Sequence, residues 1–181
     1  PRAVDLTGDG VLDVVVGHGM ESMGGSVTAH DGKTGALIWQ VGPLANAAHP
    51  LDEIVGSASF ISINGDDVPD VVIGGREATL LAIDGETGDL LWRFFPSGGG
   101  PDAGWYNFYS SQPVDDQNGD GIEDLLVANG GDYRAGPFEE RPVGHLMIMS
   151  GLDGAILHVA SMPDGGETYM SPVLYTGNNP E

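Results

Sequence analysis

Three segments of this chain repeat one pattern of acidic residues, glycines and apolar residues. The segments begin at Asp5, Ser62 and Asp116, so one repeat spans about 55 residues. Each segment is an acidic loop that ends in aspartate and is followed by three apolar residues. Acidic loops one, two and three are residues 5–13, 62–70 and 116–124. A sequence with such internal repeats builds one structural unit several times, which constrains the fold more strongly than any single motif.

A second pattern follows each acidic loop. Residues 29–39 and 82–92 each contain an apolar stretch, an aspartate, a Thr-Gly pair and a final tryptophan, Trp39 or Trp92. The third repeat is degenerate over residues 149–158 and has His158 at the tryptophan position. The aspartate suits a tight turn, and the glycines at 35, 88 and 154 suit its positive-φ position. Each repeat is therefore predicted to contain four short strands, two around the acidic loop and two around the turn.

Four antiparallel strands in about 55 residues is the size of one β-propeller blade. We therefore predict an all-β chain with four-stranded antiparallel blades near residues 1–43, 44–96 and 97–163, and the start of a fourth blade at residues 164–181. Because propellers close with about 4–8 blades, residues 1–181 are expected to be one partial domain of a longer chain with about 6–8 blades. A β-sandwich is the alternative fold, but it does not require this internal repetition.

The acidic loops have the residue types that bind calcium. Calcium takes about 6–8 oxygen ligands, and a tightly curled loop offers side-chain oxygens at positions 1, 3 and 5, a carbonyl at position 7 and a carboxylate at position 9. The predicted ligands are Asp5, Thr7, Asp9, Val11 and Asp13 in loop one, Ser62, Asn64, Asp66, Val68 and Asp70 in loop two, and Asp116, Asn118, Asp120, Ile122 and Asp124 in loop three.

Loops one and three are predicted to bind calcium more tightly than loop two. Loop two has only two carboxylates at the ligand positions, those of Asp66 and Asp70, and Asp67 replaces the glycine of its sharp turn. An EF-hand is excluded, because position 12 is Val16 in loop one and Val127 in loop three instead of glutamate. The alternative is that these loops are acidic surface turns that bind no metal.

The charge of the chain excludes several functions. It has 27 acidic and 6 basic residues, a formal charge of −21, which disfavours binding to nucleic acid or to an anionic membrane. It contains no cysteine, so disulfides and thiol catalysis are excluded within this sequence. No apolar run is long enough to predict a transmembrane segment.

The repeats are similar to two known families. The acidic loops, with the apolar residues and glycine that follow at 14–17 and 71–74, resemble FG-GAP/VCBS repeats, the units of integrin-α-like propellers. Residues 29–39 and 82–92 resemble the blade repeat of PQQ-like, quinoprotein-type propellers. The resemblance implies that the acidic loops join the first two strands of each blade and that the two tryptophans pack between blades. It covers nearly the whole chain, but it is weak evidence for an activity, because such repeats serve many functions.

Long connections are expected on the face opposite the acidic loops, and such loops commonly carry binding residues. The candidate ligand-binding residues there are Trp105, Tyr106, Tyr109, Tyr133, Arg134 and Arg76. Exposed aromatic residues beside arginine suit a protein or carbohydrate ligand. The alternative is that the aromatic residues only fill the space between blades.

The leading hypothesis is a non-enzymatic, calcium-stabilised propeller for binding or scaffolding, in adhesion or as a subunit of a larger complex. We expect it to be extracellular, on the cell surface or in the periplasm, with a bacterial source, because exported compartments supply the calcium that modest sites need. One alternative is a polysaccharide lyase or hydrolase with its site on the long-loop face. A second is a quinoprotein-like oxidoreductase with a cofactor at the propeller axis. No residue is predicted to be catalytic.

Overall fold

The structure of the protein is a computed structural model that describes residues 1–20, 23–42, 53–76, 79–94, 107–131, 138–140, 142–168, 172 and 174. These residues contain 12 strands in three four-stranded sheets, and no helix. The first sheet contains β1 (Arg2–Val4), β2 (Asp13–Met20), β3 (Met23–His30) and β4 (Leu37–Val41). The middle sheet contains β5 (Ser59–Ile61), β6 (Asp70–Gly74), β7 (Leu80–Ile83) and β8 (Leu90–Arg93). The third sheet contains β9 (Asn107–Val114), β10 (Asp124–Gly130), β11 (His145–Met149) and β12 (Ile156–Ser161).

Each sheet is a simple meander in which every strand pairs antiparallel with the next strand in sequence. The prediction of an all-β chain with four antiparallel strands per repeat is confirmed. In the described part of the chain, no helix is long and apolar enough to cross a membrane.

The two sequence patterns lie at the same end of each sheet. An acidic loop joins the first strand to the second, and the turn with the Thr-Gly pair joins the third strand to the fourth. Because neighbouring strands run in opposite directions, both connections emerge at the same end of the sheet. The third and fourth strands show a register shift beside this turn in all three sheets, at Ala29/His30, Ala82/Ile83 and Ile148/Met149. The repeat is therefore preserved in the details of strand pairing.

The middle sheet is covered on both faces, which explains why β6 is apolar at successive positions. Val71 and Ile73 belong to a core cluster shared with the first sheet, whereas Val72 belongs to a cluster shared with the third sheet. Side chains alternate between the two faces of a strand, so this division follows from the strand period of two. All five residues of β6 are buried. The three sheets are therefore stacked face to face in chain order.

A tryptophan crosses each of the two boundaries between sheets. The Trp39 indole Nε1–H of the first sheet donates to the Gly85 carbonyl of the middle sheet over 2.8 Å. The Trp92 indole of the middle sheet donates in the same way to Gly151 of the third sheet, also over 2.8 Å. Both tryptophans are buried, as the family resemblance implied, and the N–H of each finds an acceptor. His158, at the same position of the third sheet, is exposed.

Candidate functional site

Glycines in the left-handed conformation curl acidic loops one and three in the same way. Gly8 and Gly10 have φ angles of 71° and 82°, and Gly119 and Gly121 have φ angles of 83° and 91°. In loop two only Gly65 has positive φ, because Asp67 occupies the place of the second glycine. Asp67 does not adopt positive φ, and in the described ranges Phe138 is the one non-glycine residue that does. A Cβ atom disfavours this conformation, because it comes too close to the following carbonyl oxygen. Loop two therefore follows a different path where the sequence departs from the pattern.

The first aspartate of loops one and three closes its own loop. Asp5 accepts hydrogen bonds from the backbone amides of Gly8 and Gly10, each over 2.8 Å. Asp116 accepts from the equivalent amides of Gly119 and Gly121 over 2.6 and 2.8 Å. The amide of Gly121, followed by that of Gly119, holds the pKa of the Asp116 carboxyl below its usual value. The Asp116 carboxylate is thus held in the ionised form that a cation would need.

The last aspartate of each loop is buried and joins the loop to the neighbouring turn. One oxygen of Asp13, Oδ2, accepts from the Leu6 amide over 2.7 Å, and Oδ1 accepts from the Gly32 amide of the turn over 2.9 Å. The same two bonds recur in the other repeats. The residues are Asp70 with Ile63 and Gly85 in loop two, and Asp124 with Gln117 and Gly151 in loop three.

Burial changes the pKa of Asp70, and backbone hydrogen bonds occupy most of the lone pairs of Asp13. Burial raises the pKa of Asp70, and the amides of Ile63, Gly85 and Asn64 oppose the rise. A carboxylate has about four lone-pair sites, and Asp13 uses three of them for the amides of Leu6, Thr7 and Gly32. The sequence assigned these aspartates to a metal, whereas in this structure their oxygens accept backbone hydrogen bonds. A role as metal ligand stays a prediction, and it would have to use the remaining lone pair.

The middle of each loop contacts a different polar partner. In loop one, the Lys33 ammonium lies 3.3 Å from Asp9 Oδ2 and forms an exposed ion pair. In loop three, the Asn118 side-chain amide donates to Asp120 Oδ2 over 2.9 Å. In loop two, the Asn64 amide donates both to Asp66 and to Asp84 of the adjacent turn, over 2.7 and 2.9 Å. Positive charge or N–H groups thus face the carboxylates where calcium was predicted.

The donor chemistry of loops one and three fits a hard cation. Each loop presents two exposed or half-buried carboxylates, those of Asp5 and Asp9 or those of Asp116 and Asp120, around a curled backbone. All predicted ligands are oxygen atoms, the type that calcium prefers. Within the described ranges, no three His, Cys, Asp or Glu side chains already converge as a group that could hold a metal ion. Binding would therefore require the loop side chains to turn toward a common centre.

The predicted ligand-binding face is described only in part. Trp105, Tyr106, Tyr133 and Arg134 lie outside the described residues. Arg76 donates from Nε to Glu53 Oε2 over 2.8 Å, and both side chains are partly buried. Tyr109 lies half-buried in β9, and its carbonyl accepts from the Ser57 amide over 3.0 Å. Both residues have structural contacts, and a role in ligand binding stays a prediction.

Sequence reasoning missed a cavity of about 510 Å³ where the first strands of the three sheets meet. Its polar lining comes from Arg2 of β1, Ser59 of β5, and Ser111 and Gln112 of β9. The hydroxyl groups of Ser59 and Ser111 lie 2.5 Å apart, and a parallel bridge joins Ser57 to Ser110 nearby. The only sequence signal was the presence of polar residues in the strands that precede the acidic loops. The cavity shows that the three first strands converge.

The chain was compared with models of protein families and with curated proteins. Neither comparison found a match.

Proposed function

We propose that this chain forms part of a calcium-stabilised β-propeller that acts as an extracellular binding or scaffolding module. The observation that carries the proposal is the threefold repetition of one arrangement. In each repeat, a four-stranded meander packs face to face on its neighbour and has an acidic loop at the same end of the sheet. The first strands β1, β5 and β9 meet around one cavity, which is the arrangement of innermost strands in a propeller.

Calcium is proposed for loops one and three, where two carboxylates and a glycine-rich curl recur. The residues that would hold it are Asp5 and Asp9 in loop one and Asp116 and Asp120 in loop three, with oxygens of Thr7 and Asn118. A bound calcium ion would supply two positive charges to a chain with a formal charge of −21. Its binding would stabilise the folded state, because the unfolded chain cannot present the same set of oxygens.

The extracellular location rests on the same sites. Loops with two or three carboxylates are expected to bind calcium only modestly, and such sites are filled where calcium is abundant. The long connections expected at the opposite end of the sheets suit the binding of a protein or a carbohydrate.

Thermal unfolding with and without calcium tests the proposal. We expect the melting temperature in excess EGTA to rise when calcium is added, since calcium at 100 times its Kd adds about 2.7 kcal/mol for one site. Asp9→Asn and Asp120→Asn should each reduce that rise. Asp164→Asn is the matched control, because Asp164 is an exposed aspartate in a turn outside the acidic loops. Equal melting temperatures in EGTA and in calcium, with no bound calcium by elemental analysis, would exclude the calcium part of the proposal.

A further inference from the structure

The sequence contains three Asn-Gly pairs, at residues 64–65, 118–119 and 129–130. An asparagine that precedes glycine can lose its side-chain amide without an enzyme, because glycine has no side chain to keep its backbone nitrogen away from the asparagine Cγ. The nitrogen attacks Cγ, and a cyclic imide forms as ammonia leaves. Water then opens the imide to aspartate or isoaspartate. The three pairs have different environments in the structure, so their reactivity should differ.

The pair at 129–130 is protected by the third sheet. Asn129 and Gly130 are both buried in β10, where Asn129 pairs with His145 of β11 and Gly130 pairs with Asn107 of β9. Attack on the Asn129 side chain would require these residues to leave their pairing. Burial also excludes the water that opens the imide. We therefore expect no reaction at this pair in the folded chain.

The pairs in acidic loops two and three are exposed, and both asparagine side chains are prepared for attack in the same way. The following glycines have nearly equal φ angles, 80° in loop two and 83° in loop three. The Asp66 amide donates to Oδ1 of Asn64 over 3.0 Å, and the Asp120 amide donates to Oδ1 of Asn118 over 2.9 Å. Negative charge develops on this oxygen when a nucleophile adds to Cγ, so an N–H donor aimed at it lowers the barrier.

The two loops differ at the attacking nitrogen. In loop three, the Gly119 amide donates to Oδ1 of Asp116 over 2.6 Å. This charge-assisted hydrogen bond has to break before the nitrogen can attack. Loop two has Ser62 in place of the aspartate, and among the described residues the Gly65 amide has no hydrogen-bond acceptor. The nucleophile is therefore held in loop three and free in loop two.

The departing nitrogen also has different neighbours in the two loops. Nδ2 of Asn64 donates to the carboxylates of Asp66 and Asp84 over 2.7 and 2.9 Å. Nδ2 of Asn118 donates to one carboxylate, that of Asp120, over 2.9 Å. This nitrogen takes up a proton and becomes positive before it leaves as ammonia, so a second carboxylate favours its departure. The N–H bonds lie in the amide plane and the attack comes from above it, so they do not have to break first.

We infer that Asn64 is a site of spontaneous deamidation, with the Gly65 amide nitrogen as the nucleophile. The bond from Gly65 N to Cγ forms, the Cγ–Nδ2 bond breaks, and the amide proton of Gly65 leaves with the ammonia. Water then adds to one imide carbonyl and opens the ring. The product places a carboxylate beside Asp66 and Asp84 and removes the N–H groups that join loop two to the turn between β7 and β8. The assignment of this site goes beyond the proposed function and does not depend on calcium.

The test is incubation of the folded chain in EGTA at mildly alkaline pH, followed by proteolysis and mass spectrometry of the peptides that contain each asparagine. Asn64 should deamidate about tenfold faster than Asn118, the factor for a barrier lower by about 1.4 kcal/mol, and Asn129 should stay intact. The same incubation in guanidinium chloride gives the rates of the unfolded chain, where this order should be lost. Equal rates in the folded chain, or a faster reaction at Asn118 or Asn129, would overturn the inference.

Two reciprocal variants test the residue at the first position of each loop. Ser62→Asp supplies the acceptor that loop three has and should slow the reaction of Asn64 about tenfold. Asp116→Ser frees the Gly119 amide and should speed the reaction of Asn118 by a similar factor. Circular dichroism at the incubation temperature shows whether each variant is folded. Unchanged rates in both folded variants would refute the control of the reaction by the glycine amide.

Thermal unfolding of Asn64→Asp and Asn118→Asp, measured in EGTA, tests the effect of the modification on the fold. Asn64→Asp loses the N–H bonds to two carboxylates, whereas Asn118→Asp loses the bond to one. We therefore expect Asn64→Asp to lower Tm more than Asn118→Asp does. An equal or smaller decrease for Asn64→Asp would contradict the loosening of loop two by deamidation.

Discussion

Replacing Asp70 with alanine tests the central contact of the repeat. Asp70 is fully buried and accepts three backbone hydrogen bonds, from Ile63 over 2.7 Å, from Asn64 over 3.3 Å and from Gly85 over 3.1 Å. Ile63 and Gly85 are buried, so their amides would lose their partner without access to bulk water. Each buried unsatisfied donor costs about 1–3 kcal/mol. The alanine variant is spared the burial of a carboxylate, which offsets part of this loss.

The expected loss of stability for Asp70→Ala is about 3 kcal/mol. For a chain of this length, each kcal/mol shifts Tm by about 2–4 °C, so Tm should fall by about 6–12 °C. The assay is thermal unfolding at neutral pH in EGTA, followed by circular dichroism. The control is Asp164→Ala, which removes an exposed aspartate that accepts one amide hydrogen bond and should cost about 0.5 kcal/mol or less. A melting temperature for Asp70→Ala within about 1 °C of that control would refute the reasoning, since these bonds would then contribute nothing net.

The stability difference between the wild type and Asp70→Ala should depend on pH. Burial raises the pKa of Asp70 in the folded state, so folding favours the protonated carboxyl. The contribution of this group is fully present below the unfolded pKa of about 3.9 and declines as the pH rises through the higher folded value. The stability difference between the wild type and Asp70→Ala should therefore shrink as the pH rises through this window. A difference that grows over the same window would mean that the amides outweigh burial.

Three further predictions concern the contact between a tryptophan and the turn glycines of the next sheet, and the acidic loops. Gly88→Ala should destabilise the protein more than Gly35→Ala, because both have positive φ but only Gly88 lies against Trp39; urea unfolding of the two variants compares the steric term directly. Trp39→Phe removes the hydrogen bond to the Gly85 carbonyl and should cost about 1–3 kcal/mol by the same method, and an unchanged midpoint would contradict this role of the indole. The amides that lower the pKa of Asp116 give stability above the unfolded pKa that is lost as the pH falls through the folded value. The difference between wild type and Asp116→Asn should accordingly vanish in acid titrations monitored by Tm, and a constant difference would refute this assignment.

The strands and turns could be predicted from sequence because they depend on local patterns that recur. The apolar runs after each acidic loop form β2, β6 and β10, and the turn glycines at 35, 88 and 154 have the expected positive φ. Confirmation of these features required only the strand period and the conformational freedom of glycine. The division of β6 between two core clusters followed from the same period once the stacking order was known.

The contacts between the acidic loops and the neighbouring turns could not be predicted, because the partners are distant in sequence. Asp13 bonds to Gly32, 19 residues later, and Lys33 reaches back 24 residues to Asp9. A loop of nine residues gives no indication that the adjacent turn will supply an amide or an ammonium group to it. The sequence could therefore identify carboxylates suited to calcium, but not the backbone groups with which a cation would compete.

The buried aspartates explain why the acidic loop and the turn occur together in each repeat. In the third sheet, Asp124 of loop three accepts the Gly151 amide, and the Gly151 carbonyl accepts the indole N–H of Trp92 from the middle sheet. One chain of hydrogen bonds thus runs from an acidic loop, through a glycine of the turn, to the contact between two sheets. Any ion that orders the loop would also order this glycine, so calcium binding and sheet stacking are expected to be coupled. The two sequence patterns therefore act together: the acidic loop positions the glycine of the turn, and that glycine positions the tryptophan of the neighbouring sheet.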